Sequence, residues 1–254
     1  MGLELDHIVH FIKSHPSEAI REWEELGYKA VMGGRHELWG TYNSLLYMGS
    51  SYIEYLAIEK IEIASQSNNP LIKQLVRDIG KGEGFGQICF RTTNMNQLQS
   101  ELQRLGYSTS SFEGSRKRSD NQMIRWKMLF ILEESSLPYP FFIEWEQNNE
   151  DRLNDLSNLG FLTEKLKTTD VNSIQILVND VKSTVNEWSA LLKAPITLLD
   201  DKKGVIQLGH TELLFSRQEN NELQTLLKEN RPYLVTFSPS LLENPLTLFG
   251  ATYK

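Results

Sequence analysis

The stretch Pro16-Ser17-Glu18-Ala19-Ile20-Arg21-Glu22-Trp23-Glu24-Glu25-Leu26-Gly27-Tyr28 decides how the chain is read. Ala19, Ile20, Trp23 and Leu26 recur at helical spacing, Gly27 stands where a helix C-cap needs a positive φ, and Tyr28 begins a β-prone run. A second helical stretch over residues 95–105 has the same ending, Leu105-Gly106-Tyr107. Around each helix the order of elements repeats. A strand over residues 5–12 precedes the first helix, and strands over 28–31, 42–48 and 52–58 follow it, the last two joined by the turn Gly49-Ser50-Ser51. A strand over 85–92 precedes the second helix, and strands over 107–112, 124–132 and 141–145 follow it. A connecting helix over 70–79 and the glycines 80, 82 and 84 separate the two copies. A weaker third copy has strands over 174–178, 196–199, 205–208 and 212–216 around a helix over 181–192, with one more strand over 233–238.

The pattern predicts an α+β fold in which paired βαβββ modules form a cup-shaped mixed sheet, with a third βαβββ-like module at the C-terminus. The polar stretch over 147–169 reads as a boundary. It divides the chain into residues 1–147, holding two modules at about 3–60 and 85–147, and residues 148–254.

Composition narrows the function classes. A chain of 254 residues with 40% hydrophobic content can bury a full core. The formal net charge of −7 supplies no excess of cations for phosphate neutralisation, so no nucleic-acid partner is expected. One cysteine, Cys89, excludes an intramolecular disulfide framework. No signal-peptide-like start and no apolar run of spanning length is present, so a cytoplasmic protein with no membrane partner is expected.

Superposing the first two copies on their first and last strands brings four polar residues into matching places: His7 with Gln87, and Glu54 with Glu144. Each interrupts an apolar strand, where an unpaired polar side chain is costly to bury. If the faces meet, one imidazole nitrogen and three oxygens converge, a set suited to a divalent metal (Zn, Ni, Co, Mn or Fe) with open positions for substrate. Blander roles stay open: a hydrogen-bonded core histidine for His7, structural ion pairs for Glu54 and Glu144, a core amide for Gln87. His36, Thr41 and Asn43 follow glycines and either line the cup or stabilise turns. Arg91 shares the expected inner face with Cys89. Arg125 belongs with Arg116, Lys117, Arg118 and Lys127 to a basic cluster that either clamps an anionic group or is solvated. His10 falls on the face opposite His7, packed beneath a helix.

The segments Leu5-Asp6-His7-Ile8-Val9, Gly33-Gly34-Arg35-His36, Gly40-Thr41-Tyr42-Asn43-Ser44-Leu45 and Tyr52-Ile53-Glu54-Tyr55 resemble the glyoxalase-like domain of the vicinal-oxygen-chelate superfamily. The resemblance covers roughly residues 3–147. It implies metal ligands at His7, Glu54, Gln87 and Glu144, with Glu144 or Glu54 as catalytic base, and His36 and Asn43 toward the substrate, to which the strand face adds Arg91 and the basic cluster adds Arg125. It also implies lyase or isomerase chemistry on a small molecule that chelates the metal through neighbouring oxygens. Ring-cleaving dioxygenase chemistry ranks lower, because Gln87 stands where a second histidine would be wanted. The superfamily also contains metal-free proteins that sequester small molecules, and this binding role is the alternative. A third module without a fourth suggests either a homodimer through an exposed sheet edge or packing back on the first two modules as a lid.

Overall fold

The computed structural model describes residues 2–117, 123–217 and 230–254. Its first half runs β1 (Glu4–Phe11), α1 (Ser17–Glu25), β2 (Val31–His36), β3 (Thr41–Met48), β4 (Ser51–Ile58), α2 (Ile61–Ala64), α3 (Pro70–Ile79), β5 (Gly84–Arg91), α4 (Met95–Arg104), β6 (Thr109–Lys117), β7 (Met123–Ile131) and β8 (Phe141–Trp145). The second half runs α5 (Asn149–Asn158), α6 (Glu164–Lys167), β9 (Asp170–Val178), α7 (Val181–Leu192), β10 (Ile196–Leu199), β11 (Lys203–Leu208), β12 (Thr211–Arg217), β13 (Arg231–Ser238), β14 (Leu246–Leu248) and β15 (Ala251–Tyr253).

The two Leu-Gly-Tyr endings work alike at the level of atoms. Gly27 N–H donates to the Glu24 carbonyl at 2.9 Å and Tyr28 N–H to that of Trp23 at 2.8 Å, while Gly106 and Tyr107 donate to Gln103 and Leu102, each at 3.0 Å. These are paired Schellman closures, made possible by φ of +81° at Gly27 and +95° at Gly106.

Eight strands form the first sheet in the order β2-β3-β4-β1-β5-β8-β7-β6, with β1 parallel to β4, antiparallel to β5, and β5 parallel to β8. The second sheet repeats that order as β10-β11-β12-β9-β13-β15-β14, one strand short at its end. β13 is antiparallel to β9 and parallel to β15, as β5 is to β1 and β8. Strands β13, β14 and β15 therefore form a shortened fourth module, which the sequence reading missed because β14 and β15 are only three residues each. The unpaired third module that suggested a dimer is paired within the chain.

One face of the first sheet curls into a cup, and the connecting helix α3 drops into it. Asn69 caps this helix by accepting from Leu71 N–H at 2.9 Å, and Pro70 fits its first turn. Leu71, Ile72 and Leu75 then pack against Val9, Phe11, Leu56 and Phe141. The other face shares one apolar core with α1, α4, α7 and the second sheet, including Ile8, Trp23, Tyr55, Trp188, Phe237 and Tyr253. The stretch read as a polar boundary contains α5 and α6, held down by buried Leu156, Leu162 and Leu166. Among the described residues no helix is long and apolar enough to cross a membrane.

Candidate functional site

A bulge in β1 builds the centre of the cup. The register on β5 jumps from Leu5 opposite Phe90 to His7 opposite Cys89, which leaves Asp6 as the extra residue. Both Asp6 and His7 are buried, and Asp6 Oδ1 lies 2.7 Å from His7 Nδ1. Asp6 Oδ2 accepts from the Trp145 indole at 2.9 Å and lies 3.6 Å from an Arg152 nitrogen. Burial alone would raise the Asp6 pKa, but the Arg152 charge and the His7 and Trp145 hydrogen bonds outweigh it and bring it to about 2.

An ionised Asp6 makes Nδ1 the protonated nitrogen of His7 and aims Nε2 into the cup. Nε2 faces Glu54 Oε2 at 3.4 Å, and Asn43 donates from Nδ2 to Glu54 Oε1 at 2.5 Å. The imidazole stacks on Tyr52 with ring centroids 4.5 Å apart and meets the edge of Phe141 at 5.4 Å. A cation placed between this lone pair and the carboxylate oxygen would be held by both. Trp39, Trp126, Ile143 and Trp145 close the walls around a cavity of about 50 Å³. A space of this size suits an ion with a few waters or the reacting end of a small molecule, whose body extends beyond it.

The structure brings together two of the four residues expected to hold a metal. Glu144 lies between Ile143 and Trp145, which line the cup, so the two-residue strand period turns it away. There it accepts from Met95 N–H at 3.4 Å, at the start of α4. Strand pairing explains the misassignment. Val9 is opposite Glu54, and its counterpart Cys89 is opposite Phe141, so Phe141 and not Glu144 holds the place of Glu54. Gln87 donates to Gln74 of α3, which itself donates to the Gly86 carbonyl, and neither glutamine lines the cavity.

Of the residues expected near substrate, Asn43 and His36 line the cup, His36 within 3.1 Å of Thr41 Oγ1. Arg91 instead staples the strand starts, donating to the carbonyls of Leu5 at 2.8 Å and Ser50 at 2.7 Å and pairing with Glu4. Arg125 is largely exposed and pairs with Glu146 at 3.4 Å. Arg118 and the side chains of Arg116 and Lys117 lie outside what is described. His10 does face away from His7, but it packs against the second sheet, not under a helix. Sequence reading missed Asp6, Tyr52, Trp145 and Arg152. Asp6 carried a signal, as a charge beside His7 in an apolar strand.

A four-ligand cage from the expected set does not fit. A smaller donor set does: His7 Nε2, Glu54 Oε2, and Asn43 Oδ1, which is buried without a partner among the described residues. The Asp6 carboxylate on the far nitrogen of His7 is the support that metal-binding imidazoles usually have. Cys89 lies close enough to Asp6 and His7 to join them, but burial pushes its thiol well above its usual pKa and keeps it a poor ligand.

The sequence profile of the glyoxalase-like domain family matches residues 5–192. A crystal structure of a hypothetical protein from Staphylococcus aureus superposes with a TM-score of 0.80 at 21% identity, over 100% of this chain and 98% of that one. A mutant 4-hydroxymandelate synthase from Streptomyces coelicolor superposes with a TM-score of 0.59 at 8% identity, over 93% of this chain and 71% of that one. At these identities the likeness is one of fold. No curated protein sequence matches the chain significantly.

Proposed function

Because the chain belongs to the glyoxalase-like domain family of the vicinal-oxygen-chelate superfamily, we propose that its first sheet is the active site of a lyase or isomerase acting on a small carbonyl compound. The observation that carries this reading is the buried line Asp6–His7–Glu54, aimed into an aromatic-walled cavity. His7, Glu54 and Asn43 would hold a divalent ion, which would polarise a carbonyl or enediolate oxygen when bound.

The chain's own groups account for the rest. Asp6 fixes the His7 tautomer, and the Tyr52 stack fixes the plane of the ring. Glu54, oriented by the Asn43 amide, is the proton acceptor beside the reacting carbon and returns the proton at the neighbouring atom. Trp39, Trp126 and Trp145 exclude water, which strengthens each charge interaction inside.

The test is metal content after divalent loading and desalting, followed by a screen of α-keto aldehydes and related carbonyl compounds. Wild type and Glu144→Ala are expected to retain near-stoichiometric metal, while His7→Ala and Glu54→Gln lose it together with turnover. Metal retained in both of the latter would sink the proposal. A sequestering protein is the second reading, favoured by the aromatic lining of Trp39, Tyr52, Trp126, Phe141 and Trp145. Tight ligand binding with no turnover in any metal form would select it.

A further inference from the structure

The 50 Å³ cavity beside His7 is too small for a substrate's body, but it shares two walls, Tyr52 and Trp145, with a cavity of about 210 Å³. The larger space lies between β2, β7 and α5. Its lining is apolar at Val31, Ile124, Leu156 and Phe161, and Arg152 brings a guanidinium to it from α5.

Arg152 is an unusual cation. It is nine-tenths buried and stacks over the Trp145 ring at 5.1 Å, yet its side chain makes no hydrogen bond among the described residues. Its contact with Asp6, at 3.6 Å, is too long for one, and its terminal nitrogens, unlike the fully buried Nε, keep accessible surface. A guanidinium has five N–H donors in a planar fork, and burying them unused is costly unless something else takes them up. The fork therefore has capacity for a second acceptor besides Asp6.

We infer that this cavity is an anion subsite, in which Arg152 binds the carboxylate of an amphipathic monocarboxylic acid while the apolar walls take its hydrocarbon part. A bidentate carboxylate matches the fork. Asp6 lies beside Arg152, and Glu146 in the wall pairs with Arg125, so the site has no surplus positive charge for a phosphate dianion and a monoanion fits better. A volume of about 210 Å³ suits a molecule smaller than a typical drug. The inference rests on the proposed function only in placing the acid's reacting end across Tyr52 and Trp145, beside His7.

Calorimetry tests it with 3-phenylpropanoate and hexanoate, each against its primary amide, and with inorganic phosphate. Wild type should bind each acid about 10- to 100-fold more tightly than its amide, and Arg152→Gln should abolish that preference while leaving the amides unaffected. Since Arg152→Gln leaves Asp6 buried without its cation, the double variant Asp6→Asn/Arg152→Gln provides a second, charge-balanced background, in which the preference should also vanish. Acids bound no better than amides, a preference that survives both variants, or phosphate bound more tightly than either acid would overturn the inference. Binding is read without turnover, so a failed reaction screen leaves this result standing.

Discussion

His7 owes its competence to the residue before it. Without the bulge, Asp6 would point away from the cup, and nothing would hold the ring with Nε2 toward Glu54. Asp6→Asn is therefore expected to lower kcat/KM on whatever substrate the screen identifies. Glu54→Gln removes a metal-holding oxygen as well as the proton acceptor, so it is expected to cost at least the roughly 10²- to 10⁴-fold of a positioned acid–base group, without weakening acid binding by calorimetry. His10 makes a second prediction at this scale. Its Nε2 donates to the Phe249 carbonyl at 2.8 Å and its Nδ1 accepts from Tyr253, an arrangement only the neutral ring can make. Burial lowers its pKa from 6.5 to about 4, against the raising effect of that carbonyl. The folded state thus takes up its proton later than the unfolded state as pH falls. Stability from this group is intact above about pH 6.5, erodes between there and about pH 4, and loses about 3 kcal/mol in all. His10→Gln should flatten that part of the stability curve, measured by urea denaturation at pH 7 and pH 4.5.

At the scale of elements, the sequence revealed what periodicity encodes and hid what register decides. The helices, the Leu-Gly-Tyr closures and most strands follow directly from spacing, as do His7 and Glu54, polar residues standing in apolar strands. Glu144 looked equivalent to Glu54 because each follows two or three apolar residues in the last strand of its module. Only the pairing of Cys89 with Phe141 shows that the two strands are offset by an odd number of positions, which reverses the face. Gln87 was placed on the correct strand, but no pattern announced that α3 would enter the cup and engage it through Gln74. Glycine substitutions separate local from tertiary demands. Gly106→Ala should cost only about 1 kcal/mol, for its positive φ, since a Cβ there meets nothing within 4 Å. Gly49→Ala should cost at least about 2 kcal/mol, because its Cβ would lie 2.2 Å from Asp170 Oδ1 and 2.5 Å from the Thr169 carbonyl. Both are measurable by chemical denaturation.

The molecule as a whole is a doubled plan with unequal halves. In the first sheet, Tyr52 lies opposite His7 and Glu54 two residues further on. In the second, Glu212 lies opposite Ser173, so the place of Glu54 falls to Leu214. The proposed site is confined to one sheet, and the other contributes its apolar face to a shared core. Residues 1–147 expressed alone are therefore expected to lose cooperative unfolding and expose apolar surface, seen as dye binding and a broadened thermal transition, whereas the full chain should unfold in one step. A run of buried hydrogen bonds crosses between the sheets, from the Trp23 indole to Tyr55 at 2.6 Å, from Tyr55 to Tyr253 at 3.0 Å, and on to His10. This last contact joins positions 243 residues apart. At a synthesis rate of about 5–20 residues per second, roughly 10–50 s separate the emergence of its two ends from the ribosome. Throughout that interval the strand that bears His7 waits with its back uncovered, so the proposed site is among the first parts of the chain to be made and among the last to be secured.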